Sequence, residues 1–278
     1  MASVAGAVTV ERDYFLGTHD EELARLGLQH RVWRPAVEDC WRRAGIASGA
    51  RVLDIGAGPG YAAADLAQIV GSRGEVVAVE RSARFVEAGR GMCAANGFTN
   101  VRYHELDLMT DTLPGGGFDF SWCRWVACFV SSPALLLDKI ATALRPSGVA
   151  IFHEYLAYAT FSFAPSRPKQ QEFAQQVMKG WRAAGGEPDI AQPVMRLLEE
   201  RGFAIRTMIP RIYALRPADE MWQWPASFIR IHLEQQTAQG AIEASWAEAV
   251  SQEFAAAESD PAAVLITPLV LQIIAEKL

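Results

Sequence analysis

The chain has 278 residues, 50% of them hydrophobic and 21% charged, with a formal net charge of −6. That length points to one large α/β domain, or one domain carrying an accessory cap, with a core that needs no metal or disulfide to hold it. The same figures exclude a disordered chain, a collagen-like repeat and a small disulfide scaffold, and the acidic balance argues against a dedicated nucleic-acid surface.

The opening MASVAGAVTV is apolar but has no basic residues before it, so it does not read as a signal peptide. No apolar run approaches the roughly 18 to 20 residues that span a bilayer, and the expected setting is the cytoplasm, away from membranes. An amphipathic helical lead-in follows, setting residues 1–48 apart from a domain over 49–278. From about residue 51 to 155, short apolar runs alternate with segments of helical period. RVLDIGAG is a strand entering a glycine-rich turn, and YAAADLAQIVG is a helix that its glycine can stop. GEVVAVE is the next strand. In SARFVEAGRGMCAANG, Ser82 is placed to cap a helix with Phe85, Ala88 and Met92 on one face. VRYHELDL, FDFSWCRW and VAIFHEY are three further strands. The helix ALLLDKIATALR between the last two ends at the stop signal Arg145-Pro146-Ser147-Gly148. Alternation of this kind predicts right-handed βαβ units and a parallel sheet covered on both faces.

Two helical inserts are expected beyond this core. The first, about 160–202, holds two helices, the second around QPVMRLLEERGF. The other, 217–260, contains Trp222, Trp224, Phe228 and Trp246 and separates two strands, IRTMIPRIYAL and LVLQIIAEKL, that could otherwise pair as a hairpin. A long insertion between pairing strands usually forms a lid or cap over a site. The four cysteines, Cys40, Cys93, Cys123 and Cys128, are scattered without a CxxC pair and read as reduced core residues, with no metal site.

The chemistry concentrates at Asp54-Ile55-Gly56-Ala57-Gly58-Pro59-Gly60. Its glycines allow a tight turn and close approach of a ligand to the backbone, and the following helix presents unpaired N–H groups. A dinucleotide fingerprint requires GxGxxG, but its last glycine is replaced here by Tyr61 and the spacing is GxGxG. Glu80 closes the second strand, where a carboxylate can accept from two ribose hydroxyls. Asp107 follows the third, within reach of an adenine amino group. A nucleoside with a short charged tail fits this layout, and a pyrophosphate beside Asp54 does not.

VLDIGAGPG, Glu80 and Leu106-Asp107-Leu108 resemble the first three signature segments of class I S-adenosylmethionine-dependent methyltransferases. FDFSWCRW and LLLDKIATALRPSGVAIFHEY are similar to their later core segments, and the lead-in DYFLGTHDEELARLGLQHRVWRP to that of bacterial small-molecule members. The resemblance implies a Rossmann-like, seven-stranded, mostly parallel sheet whose last strand is antiparallel. It implies S-adenosyl-L-methionine as cofactor and S-adenosyl-L-homocysteine as product. Asp54, Gly56, Gly58 and Gly60 would lie near the methionine moiety, Glu80 on the ribose, and Asp107 with Leu108 on the adenine. Arg81 flanks the adenosine pocket, a departure from the pattern, and Cys123 and Arg124 join the cofactor set by their place at the end of the fourth strand. Tyr14 either folds over the cofactor or packs on the core, and Gln29 and His30 either reach the same pocket or face solvent.

For the acceptor, Trp125 is read as pocket wall, with Trp222 and Trp224 shaping the pocket from the insert. His153 and Glu154 fall on opposite faces of the fifth strand, so one of them could serve as a general base. The expected reaction is methyl transfer to a small molecule, at an O, N or C atom that the sequence leaves open, without nucleic-acid or membrane partners and with a homodimer allowed. The alternative is a cofactor-sensing or partner-binding protein of the same fold that transfers no methyl group.

Overall fold

The computed structural model describes residues 20–278. The N-terminal helix α1 (Asp20–Ala44) has Asp20, Glu21 and Glu22 in its first turn and Arg42 and Arg43 in its last, the arrangement that a helix dipole favours. It buries Trp33, Val37, Cys40 and Trp41 against the domain.

A seven-stranded sheet forms the centre. Its strands are β1 (Arg51–Ile55), β2 (Glu75–Glu80), β3 (Val101–Glu105), β4 (Phe118–Arg124), β5 (Leu144–Ala157), β7 (Phe203–Arg211) and β10 (Leu269–Lys277), in spatial order β3-β2-β1-β4-β5-β10-β7. Parallel ladders join β3 through β5, while β10 runs antiparallel to both β5 and β7. Four of the five residues of β1 are buried, as in a strand covered on both faces. The covering helices include α2 (Tyr61–Val70), α3 (Ala83–Ala95) and α4 (Pro133–Ala143). The chain order reverses between β1 and β4, and in an open sheet of this type the crevice for a ligand opens there, beyond the carboxyl ends of the strands.

Ser82 caps α3, its hydroxyl accepting from Phe85 N at 3.3 Å. The buried face of α3 is Phe85, Val86, Gly89 and Cys93, however, not Phe85, Ala88 and Met92. Gly89 turns the helix this way because the Tyr103 ring packs where its side chain would be, with a Cβ there only 2.5 Å from Tyr103 Cζ.

The first insert folds as α5 (Pro168–Ala183) and α6 (Ala191–Glu199), and the second as α7 (Gln223–Ala238) and α8 (Ala244–Glu258). The two flanking strands do pair, as β7 with β10. A small second sheet was not anticipated: β6 (Ser162–Ala164), β8 (Ala214–Leu215) and β9 (Val264–Ile266) form it in the order β6-β9-β8. The segment read as one strand through Leu215 therefore splits, its end leaving β10 to join β9 at the base of the second insert. No helix among the described residues is long and apolar enough to cross a membrane.

Candidate active site

Beyond the carboxyl ends of β1, β2 and β4 lies a cavity of about 460 Å³. Asp54, Gly56, Gly58, Glu80 and Arg81 line it from the first two strands and their turns. Asp107 and Leu108 close it beyond β3, and Arg124 and Trp125 beyond β4.

The turn after β1 is held by Glu80. Its Oε2 accepts from Gly58 N at 2.9 Å, and its Oε1 accepts from Arg81 N at 2.8 Å and Ser82 N at 2.9 Å. Burial pushes the Glu80 carboxyl up from its ordinary range, against the pull of these three N–H donors. Each carboxylate oxygen has two acceptor sites, so Oε1 is filled and one site on Oε2 remains for a ligand hydroxyl. Gly58 itself has φ +56, a left-handed conformation that suits glycine. Asp107 Oδ1 accepts from Met109 N at 2.7 Å, and its own N–H donates to Asp111 Oδ2 at 2.8 Å, which fixes the segment after β3.

Asp54 differs from these carboxylates. It is 2% exposed, and its Oδ2 has no hydrogen-bond partner. Burial pushes its carboxyl up to about 7; the Arg124 guanidinium pulls the other way, and Glu80 adds to the rise. An unpartnered oxygen at the cavity wall calls for a donor from a ligand.

Arg124 has its own support. Asp65 Oδ2 lies 2.9 Å from His30 Nε2, and His30 Nδ1 lies 3.4 Å from both terminal nitrogens of Arg124. Arginine only donates, so His30 accepts at Nδ1 and donates from Nε2 to Asp65. Burial lowers the His30 pKa, with the Asp65 hydrogen bond opposing it, and the ring stays neutral in this arrangement. Next in the chain, Trp125 has φ +51. A bulky residue held in the left-handed region marks strain that surrounding contacts must sustain, and such strain concentrates at functional sites.

Those contacts come from Glu154. Its Oε1 accepts from Val126 N and Ala127 N, both at 2.9 Å, pinning the loop that follows Trp125. Burial pushes the Glu154 carboxyl up to about 7, the loop N–H groups opposing the rise. His153 is enclosed by the edges and faces of Trp33, Trp122 and Trp125, and its Nδ1 lies 3.2 Å from Gln272 Nε2. The expectation that one of this pair faces substrate is not met: both are 0% exposed and neither lines this cavity. Strand β5 runs on to Ala157, so the two side chains fall within the strand and not at its mouth.

Three further expectations are corrected. Cys123 is fully buried behind the cavity wall, its thiol 3.9 Å from Glu154 Oε1. Gly60 does not line the cavity; it has φ +90 at the start of α2, and a Cβ there would collide with the Tyr103 hydroxyl. Trp222 is also remote from the cavity. It is fully buried inside the second insert, stacked on Phe254 and edge-on to Phe163, with Nε1 donating to Glu258 Oε1 at 3.2 Å. Tyr14 lies outside the described residues.

A smaller cavity of about 60 Å³ adjoins the first and shares Gln29, Trp125 and Phe129 with it. Trp224 stacks on Trp125 with centroids 5.6 Å apart, and Trp125 stacks in turn on Tyr155, also at 5.6 Å. Trp181, Tyr158 and Phe228 complete an aromatic wall. Among the described residues Arg25 is the one charged residue lining it, bound to Glu22 through Nε at 2.7 Å and Nη2 at 2.6 Å. Phe228 was noted with the insert's aromatics, but Tyr155, Tyr158 and Trp181 were not singled out, because the wall is assembled from three separate segments without a shared spacing. Among the described residues there is no cluster of histidine, cysteine and carboxylate side chains suited to a metal ion.

Residues 52–148 match the family described as "Methyltransferase domain". The ubiquinone/menaquinone biosynthesis C-methyltransferase UbiE of Vibrio parahaemolyticus is 24% identical over 216 residues, covering 77% of this chain and 69% of that protein. Among solved structures, geranyl diphosphate C-methyltransferase from Streptomyces coelicolor A3(2) aligns with a TM-score of 0.58 at 14% identity, covering 94% of this chain and 85% of that one. The [4+2]-cyclase SpnF aligns with a TM-score of 0.54 at 19% identity, covering 87% and 80%. These structures establish the shared fold alone, and a cyclase among them shows that activity must be argued from the site.

Proposed function

We propose that this chain, which is a class I S-adenosylmethionine-dependent methyltransferase, moves the cofactor's methyl group onto a planar, largely apolar small molecule seated in the aromatic cavity. The observation that carries the reading is the joining of the two cavities through Trp125. One cavity is polar and acidic, the other walled by stacked rings, and a methyl donor and an apolar acceptor can meet only at such a junction. Two similar proteins carry names that point to compounds with apolar parts, one to ubiquinone/menaquinone biosynthesis and one to geranyl diphosphate. A cytoplasmic setting belongs to the same proposal.

The residues present suit the cofactor. The orphaned Asp54 Oδ2 offers an acceptor to the ammonium of the methionine tail. Glu80 Oε2 has acceptor capacity for a ribose hydroxyl, and Asp107 lies where it can receive an adenine amino group. The bound sulfonium supplies the electrophilic carbon. The protein's part is to orient: His30 holds Arg124, Glu154 holds the loop after Trp125, and the rings exclude water from the line of attack. Methylation of a phenol also releases a proton; His153 and Glu154, buried away from both cavities, are not placed to take it, and it passes to solvent.

Asp54 makes cofactor binding pH-dependent. Its folded-state pKa is raised, so the stability it contributes to the ligand-free protein is full below the ordinary carboxylate range and lost as pH rises toward about 7. A cationic ligand group favours the charged form, and the rise in melting temperature on adding S-adenosylhomocysteine should therefore be larger at pH 8 than at pH 6. Asp54→Asn should flatten that difference. An equal pH response in the variant would place the ammonium elsewhere.

The reading is tested by incubating enzyme and methyl-labelled cofactor with two acceptor panels, one of phenols and hydroquinones and one of small polar amines. Label is expected in the aromatic panel. Transfer confined to the amines would overturn the acceptor class, and cofactor binding without transfer to a full metabolite extract would favour a sensor.

A further inference from the structure

Gln29 stands at the junction of the two cavities, 8% exposed, and lines both. Its Oε1 accepts two hydrogen bonds, from Arg25 Nη1 at 3.1 Å and from Trp224 Nε1 at 3.0 Å. Both partners are donors only, so the carboxamide cannot be flipped: the oxygen must face them. No described residue accepts from the amide nitrogen. The amide nitrogen opens onto the cavity space that Gln29 lines, so its two N–H groups are available to a ligand oxygen at the junction.

Taking the aromatic cavity as the acceptor chamber, as proposed above, we infer that Gln29 Nε2 is a specificity-determining donor that selects acceptors bearing an uncharged oxygen, a carbonyl or hydroxyl, on the planar apolar body. The oxygen is uncharged because the neighbouring cation is already matched. Arg25 gives two of its nitrogens to the fully buried Glu22 carboxylate and a third to Gln29 itself. An incoming carboxylate would find a neutralised ion pair and pay its own desolvation. A ketone or phenol oxygen asks only for the donor that Gln29 supplies. The rigid pair of bonds on Oε1 also keeps the side chain ordered before the ligand arrives, which lowers the entropy cost of recognition.

The test uses acetophenone and ethylbenzene, which share a ring and a two-carbon substituent and differ in the ketone oxygen. Dissociation constants for the full-length enzyme loaded with S-adenosylhomocysteine are read by tryptophan fluorescence. Wild type is expected to prefer the ketone roughly five- to tenfold, the range of one good neutral hydrogen bond. Gln29→Glu keeps an acceptor for Arg25 and Trp224 but removes the donor, and Gln29→Leu removes both functions; each should bring the preference to within about twofold. Affinity for S-adenosylhomocysteine should stay within about threefold in both variants. If wild type binds both probes equally, the donor assignment fails while the chamber stands. If neither probe binds, the chamber itself fails and the inference with it. A preserved ketone preference with collapsed S-adenosylhomocysteine affinity would assign Gln29 to the cofactor and overturn the inference.

Discussion

Truncating Trp222 to alanine is expected to lower the stability of the ligand-free protein by about 3–5 kcal/mol, the cost of emptying a fully enclosed aromatic site. For a chain of this length that corresponds to a fall in melting temperature on the order of 10 °C. The loss has identifiable parts. The ring stacks on Phe254 at 6.0 Å and meets Phe163 edge-on at 6.1 Å, and its Nε1–H binds Glu258. Glu258 is also held by Arg230, so a pair that links the start and end of the insert loses one member. In the fraction that remains folded, affinity for S-adenosylhomocysteine should be unchanged, because Trp222 touches neither cavity. Calorimetric melts and titrations on the same preparation check both statements. A normal melt combined with lost acceptor turnover would return Trp222 to the acceptor pocket.

Glu80→Ala is expected to weaken S-adenosylhomocysteine binding by about 1.5–3 kcal/mol, or roughly 10- to 150-fold, the range for hydrogen bonds to a charged group. The variant removes both the acceptor for the ribose and the anchor of Gly58. Sequence alone suggests that Glu80→Gln should be milder, since one acceptor oxygen survives. The structure points the other way. Both carboxylate oxygens already receive backbone N–H groups, Gly58 on one side and Arg81 with Ser82 on the other. A glutamine must therefore turn its NH₂ against one of these donors, leaving the N–H unpaired and the turn disturbed. Isothermal titration should find the glutamine variant close to the alanine variant. An affinity near wild type in either would show that the ribose is held by other residues.

What could be read from the sequence follows the range of the signals. The strand–helix alternation, the GxGxG turn and the carboxylates at strand ends are local features, and the structure brings Asp54, Glu80 and Asp107 around one cavity. Side-chain direction needed more. His153 and Glu154 alternate on opposite faces as read, but β5 continues past them, and burial among Trp33, Trp122 and the loop after β4 turns them into supports. The insert's tryptophans look alike in sequence, two residues apart. The chain between them passes from a short 3-10 turn into α7, which sends Trp222 into the insert's own core and Trp224 toward Trp125. The aromatic wall had no local signature, because Tyr155, Trp181 and Phe228 meet only after three distant segments have packed.

The position of β10 bears on how the molecule is made. In space it is sixth of seven strands, yet it is synthesised after α7 and α8, and among the described residues β7 has no other partner in the sheet. The block from β3 to β5 can assemble early from neighbouring segments during translation. Throughout that time β7 and the free side of β5 expose unpaired backbone edges, the kind of surface that recruits other chains. Strand insertion between two waiting edges is a long-range closure, the kind of pairing that forms late because its loop entropy must be met first. A nascent chain halted before β10 should therefore be far more prone to aggregate, and more dependent on chaperones, than the finished protein.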